Sequence, residues 1–66
     1  MRINRVAFVS ELTRQDMSLE QLSIKSNLSR STLSHIKNGK TCTNETGNKI
    51  AQALNIPIRE LVEVNK

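Results

Sequence analysis

With 66 residues, ten Lys and Arg against six Asp and Glu (net +4), and one aromatic residue, Phe8, the chain has room for a single core, and that core is aliphatic. A lone cysteine, Cys42, excludes an internal disulfide framework and a thiolate-rich zinc site, and no apolar run reaches the ~20 residues of a membrane helix. The opening "MRINRVAF" lacks the apolar stretch of a secretory leader, so the expected setting is a reducing cytoplasm.

Five helical segments emerge in chain order. The first, about 3 to 14, sets Ile3, Val6, Ala7, Phe8 and Leu12 in an imperfect three-to-four-residue rhythm and ends at "RQD" without a glycine stop. The second opens at Ser18, where Ser18 and Gln21 form an S-x-x-Q capping box and Met17 and Leu22 flank it as a hydrophobic staple. It runs to about Ser26 and ends at Asn27, the residue best suited after Gly to a left-handed cap. The third starts two residues later, with Ser29 as N-cap, Leu28 and Leu33 as staple, and Asn38-Gly39 as its end. At about 100° per residue, Leu33 and Ile36 fall on an inward stripe. Ser31, Ser34, His35 and Asn38 fall opposite, flanked by Arg30 and Lys37.

The fourth segment, about 44 to 54, follows Thr43, has Glu45 near the positive end of the helix dipole, and buries Ile50, Ala51 and Leu54. Gly47 shares that stripe, which marks either a closely approaching backbone or a loose first turn. Asn55-Ile56-Pro57 closes the helix, and Pro57 suits the first turn of a short fifth helix with Ile58, Leu61 and Val62 inward.

The positive charge is concentrated in the middle of the chain. Residues 25 to 49 hold Lys25, Arg30, Lys37, Lys40 and Lys49 against Glu45 alone, so five minus one accounts for the whole +4 and the rest balances. Such a field attracts polyanions, nucleic acid first and anionic membrane second. Two capped helices joined by a three-residue turn, the second with a basic, hydroxyl-rich outer face, form the helix-turn-helix that lays a recognition helix in the DNA major groove. Base edges are read by hydrogen bonds from a slender helix, and Ser, His, Asn and Arg provide them without bulk. A merely solvated polar face is the competing reading, against which stand the preceding capped helix and the local charge.

The stretch "SLEQLSIKSNLSRSTLSHIKNGK" resembles the Cro/repressor-type helix-turn-helix, or XRE, family, and the likeness continues through "IAQALNIPIRELV" over nearly the whole chain. The Leu22-Ser23 pair, "NLSRSTLSHI" and the closing "KNGK" carry most of it. The resemblance implies an all-α, lambda-repressor-like bundle of four to five short helices forming one domain over 1–66, with its motif at about 18–37. It also implies a transcriptional regulator that binds operator DNA as a homodimer. Matched by position, Arg30, Ser31 and His35, with Ser34 beside them, take the base-reading places, and Asn38 and Lys40 the phosphate contacts.

The chain also departs from the family pattern. Leu19 stands where the family usually has a phosphate-binding Gln, which leaves the backbone N–H groups of that helix start to hold a phosphate. Lys37 stands where the family often has an acidic residue paired with a basic one late in the first helix. Here the facing candidates are Leu12 and Thr13, so Lys37 is left to face phosphate. Ser23 replaces the usual Ala and Asn27 the usual Gly, while Ile24 reads as an exposed apolar residue with no assigned role. The C-terminal residues Leu61, Val62 and Val64 are the expected dimer surface.

Nothing in the spacing assembles an enzyme: Glu20, Glu45 and His35 sit on different helices, with no nucleophile, phosphate-cradling glycine loop or metal cluster. No cofactor, metal or small-molecule ligand is implied. The alternative is a protein-interaction module of antitoxin or adaptor type on the same fold. RNA ranks lower, because no surface aromatics offer stacking platforms.

Overall fold

A polar side chain caps the start of each α-helix among the described residues. In the computed structural model, which describes residues 1–62, Asn4, Ser18, Ser29 and Thr43 cap α1 (Arg5–Arg14), α2 (Leu19–Ser26), α3 (Arg30–Lys37) and α4 (Asn44–Leu54). Each side-chain oxygen accepts an N–H that the first helical turn would otherwise leave unpaired. At Ser18 the capping box is complete: the Gln21 N–H donates to Ser18 Oγ at 3.2 Å and the Ser18 N–H to Gln21 Oε1 at 2.9 Å.

All four α-helices end by one device, α1 through Asp16 (φ 52°) with the Met17 N–H donating to the Leu12 carbonyl at 2.8 Å, and the other three as follows. Asn27, Gly39 and Asn55 take positive φ (60°, 95° and 59°), and the next N–H reaches back over the last turn. Leu28 N–H donates to the Ser23 carbonyl at 3.2 Å, Lys40 to His35 at 3.0 Å and Ile56 to Ala51 at 3.1 Å. These closures satisfy the last carbonyls and turn the chain sharply away from each axis.

The resulting bundle is all-α. α2 packs on both α3 and α4, α1 packs on α3, and a single 3-10 turn, Ile58–Glu60, closes over α4. Phe8, Leu22, Leu33, Ile50 and Leu54 are fully buried at its centre, with Met17, Leu19 and Leu28 half-buried around them. Gln15 ties the far end of α1 to α4 by donating from Nε2 to the Leu54 carbonyl at 2.7 Å.

Several sequence expectations are corrected. The first helix starts at Arg5, not near residue 3, because Asn4 accepts the Val6 and Ala7 N–H groups at 2.9 and 3.1 Å. Ile3 is still core, but from an extended segment. Residues 1 to 4 run between the α3–α4 loop and the C-terminal residues: Arg2 bridges Thr41, Ile3 bridges Val62, and the Asn4 N–H donates to the Leu61 carbonyl at 2.8 Å. Val6, two positions from Phe8, points to the far side of α1 and is 75% exposed.

The fifth helix is only the 3-10 turn, and Pro57 precedes it as its cap rather than standing within its first turn. Leu61 is fully buried and is therefore no part of a dimer surface; Val62 is half-buried and Val64 lies outside the described residues. Gly47 is buried because the Met1 side chain lies over it, so that a Cβ there would overlap the Met1 sulfur. Neither a neighbouring backbone nor a loose turn is the reason, since the Gly47 N–H keeps its helical bond to the Thr43 carbonyl at 3.0 Å.

Burial ranks the positions of α2. Leu22→Ala should destabilise the domain by about 2–5 kcal/mol, while Ile24→Ser, at a site 77% exposed, should stay within about 0.5 kcal/mol of the parent. Urea denaturation followed by circular dichroism measures both. Equal losses would contradict this packing.

Candidate nucleic-acid interface

The turn between α2 and α3 is held by more than its left-handed asparagine. The Ser23 hydroxyl donates to the Leu28 carbonyl while the Ser23 carbonyl accepts the Asn27 and Leu28 N–H groups, so one residue closes the turn from both sides. A hydroxyl thus replaces the close packing that a smaller side chain would give. In the last turn of α2, buried Ser26 donates to the Leu22 carbonyl at 2.7 Å and so keeps a polar group satisfied within the core. Leu28 then packs on the core beside Leu33, which fixes the entry of α3.

The two faces of α3 separate cleanly. Leu33 and Ile36 are buried at 0% and 1% exposure, which turns Arg30, Ser31 and His35 outward. All three are exposed and none makes a side-chain hydrogen bond or ion pair among the described residues. Ser34 lies beside them but is half covered. Not every hydroxyl of this stretch is available. Ser29 accepts the Thr32 N–H at 3.1 Å and pairs with the Thr32 hydroxyl at 2.8 Å, so these two serve the helix cap. The sequence marks Ser29 as the cap, but not that the Thr32 hydroxyl is drawn into it.

Beyond α3 the chain leaves through Asn38, Gly39 and Lys40. The N–H groups of these residues return to the carbonyls of Ser34, Ile36 and His35 at 3.0 Å each, and Asn38 also reaches His35 at 3.1 Å. The amide of Asn38 and the ammonium of Lys40 are exposed at this end of the helix. Lys37, exposed and without an ion-pair partner among the described residues, lies along a shallow groove shared with Ser18, Leu19 and Gln21 at the start of α2. Leu19 itself is half-buried against the core, so the polar groups it can offer at that helix start are its backbone ones. Glu20 shares that first turn and competes with any anion for the same dipole.

At the other side of the α3–α4 loop, His35, Lys40 and the hydroxyl-bearing Thr41, Thr43 and Thr46 line a second depression. Cys42 sits half-buried in it, with its N–H donating to the Met1 carbonyl at 2.8 Å and its carbonyl accepting the Met1 amino group at 2.7 Å. Burial pushes the Cys42 thiol up, so it stays protonated at neutral pH and is a poor nucleophile. Among the described residues no group of His, Cys, Asp or Glu is placed to hold a metal, and no helix is long and apolar enough to cross a membrane.

Two capped helices joined by a tight turn, with an outward polar face on the second, are the geometry shared by helix-turn-helix DNA readers. The family model for the Cro/C1-type HTH DNA-binding domain matches residues 10–66. The chain belongs to that family. No curated protein and no solved structure matches it. The Cro/C1-type assignment makes the chain a DNA-binding domain. What sequence reasoning missed is the contribution of elements outside the pair, above all the extended segment 1–4 that holds the α3–α4 loop. The signal for it was Asn4, a strong N-cap residue that ends the extended run.

Gly39 sets the exit from α3, and a Cβ there would meet the Arg5 Cδ at 3.5 Å, an ordinary contact. The cost of Gly39→Ala therefore comes from its φ of 95° and should be about 1–2 kcal/mol in chemical denaturation. A neutral result would mean that the exit is not held in this conformation.

Proposed function

We propose that this Cro/C1-type domain is a sequence-specific transcriptional regulator that places α3 in the major groove of double-stranded DNA and acts as a homodimer on a two-fold related operator. The observation that carries the reading is the face of Ser31 and His35 opposite buried Leu33 and Ile36, with Arg30 flanking it, all three exposed and without a side-chain partner among the described residues. A guanidinium at the N-terminal end of a groove-seated helix bonds N7 and O6 of guanine together, and such a pair discriminates by about 1–3 kcal/mol. Arg30 takes that role. Ser31 and His35 contact neighbouring base edges, with Ser34 as a shorter-reaching companion.

Phosphate contacts flank the reading face. Asn38 and Lys40 hold the backbone at the C-terminal end of α3. Lys37 and the backbone N–H of Leu19 hold it at the start of α2, where the helix dipole favours an anion. The lysine offsets the missing glutamine side chain at Leu19 with a point charge rather than a directed hydrogen bond.

Dimerisation follows from the information a short helix reads. Eight residues contact only a few base pairs, and pairing two copies doubles the discriminating contacts. This regulator needs no enzyme activity, metal or organic cofactor for that function.

Selection of bound duplexes from a random DNA pool tests the proposal. It should return a two-fold symmetric motif with half-sites about 10 base pairs apart or a multiple of that. Arg30→Ala should relax preference at one position of each half-site; an unchanged preference would remove Arg30 from base reading. Lys40→Ala should weaken binding to every duplex alike and flatten the log–log salt dependence by about 0.9. Salt-independent binding would contradict a phosphate-mediated interface and favour the protein-interaction alternative.

A further inference from the structure

Arg5 stands in the first turn of α1, outside the helix-turn-helix pair, and nothing in its sequence position points to a ligand. Its side chain, however, is laid against the turn that ends α3. A Cβ built on Gly39 would lie 3.5 Å from Arg5 Cδ and 3.8 Å from Arg5 Nε. The guanidinium is therefore brought beside Asn38 and Lys40, and it shares a groove with Lys37 and Asn38 across the outer side of α1. Arg5 from α1 and Lys37 from α3 thus line one groove beside the end of α3.

Two local roles would account for an arginine there, and neither is filled. No carboxylate pairs with Arg5 among the described residues. The Ser34, His35 and Ile36 carbonyls in the last turn of α3, which a guanidinium could cap, already accept the Asn38, Gly39 and Lys40 N–H groups. The five N–H donors of Arg5 are left to solvent, in a planar fork suited to the two free oxygens of a phosphodiester. Arg5 and Lys37 line that groove without an ion-pair partner among the described residues, which favours an anion there.

We propose that Arg5 is a further DNA-contacting residue, which binds a backbone phosphodiester of the strand passing the C-terminal end of α3, next to the phosphate held by Asn38 and Lys40. The inference rests on the DNA-binding reading above and extends the contact surface from the motif pair to α1.

The test uses the full chain and a duplex taken from the random-pool selection, with fluorescence anisotropy over a series of salt concentrations. Arg5→Ala should weaken binding several-fold to that duplex and to an unrelated one alike, and reduce the salt slope by about 0.9. Arg59→Ala, which removes equal charge from the exposed 3-10 turn, should leave the slope unchanged. Arg5→Lys should restore the slope with only part of the affinity. Phosphate-ethylation interference should show one position per half-site that blocks the parent protein and no longer matters to Arg5→Ala. An unaltered slope and ethylation pattern in Arg5→Ala, with Lys40→Ala still impaired, would overturn the Arg5 assignment and leave the DNA reading intact. Equal losses in Arg5→Ala and Arg59→Ala would also overturn it, as an effect of net charge. Failure of the parent protein to bind any duplex would overturn the functional reading itself, and this contact with it. Thermal unfolding by circular dichroism should place Arg5→Ala and Arg5→Lys within a few degrees of the parent.

Discussion

The burial of Leu33 and Ile36 beneath α3 is the constraint from which the rest of the structure's use follows. An eight-residue helix is too short to hold itself in water, so its orientation is decided by which stripe the core accepts. With those two side chains at 0% and 1% exposure, Arg30, Ser31 and His35 have only one direction in which to point. The turn before α3 removes the remaining freedom. Asn27 takes the left-handed conformation, Ser23 bonds Leu28 from both its hydroxyl and its carbonyl, and Ser29 caps the new helix with Thr32. The polar face is thus presented by packing and capping that lie entirely behind it.

Charge completes what packing begins. Most basic residues of the middle of the chain are not neutralised within the bundle: Arg30, Lys37 and Lys40 make no ion pairs among the described residues, while Lys49 is matched to Glu45 at 4.0 Å and, in α1, Arg14 to Glu11 at 2.5 Å. Exposed pairs of that kind add little to stability, but they cancel positive field on the sides where it serves no binding. The Arg14 guanidinium and the Gln15 amide also hold the Glu11 carboxyl below its ordinary range, so this part of α1 stays internally paired at any pH at which the protein would meet DNA. The unmatched cations remain where α2, α3 and, through Arg5, α1 meet.

Much of this was legible in the sequence because small folds are written in caps. Ser18 with Gln21, Asn27, Ser29 and Asn38-Gly39 locate α2 and α3 to within a residue, and the positions of Leu33 and Ile36 settle which way α3 faces. The ends of the chain read less well. Ile3 and Val6 fit a helical rhythm with Phe8, yet Ile3 is extended and Val6 exposed, since Asn4 starts the helix between them. Leu61 looks spare in a short terminal segment and is core, because a 3-10 turn after Pro57 folds it back onto α4. Gly47 and Arg5 were opaque for a shared reason. Their meaning lies in contacts with Met1 and with the Gly39 turn, across sequence distances that periodicity does not span.

The account depends most on which surface of α3 meets the duplex, and amide and side-chain NMR during titration with a selected operator measures that directly. The largest shifts are predicted at Arg30, Ser31 and His35, with Lys40 and Asn38 following and Ile24 and Gln52 unmoved. Shifts centred on Ile24 or on the exposed side of α1 at Val6, with His35 and Ser31 silent, would contradict it.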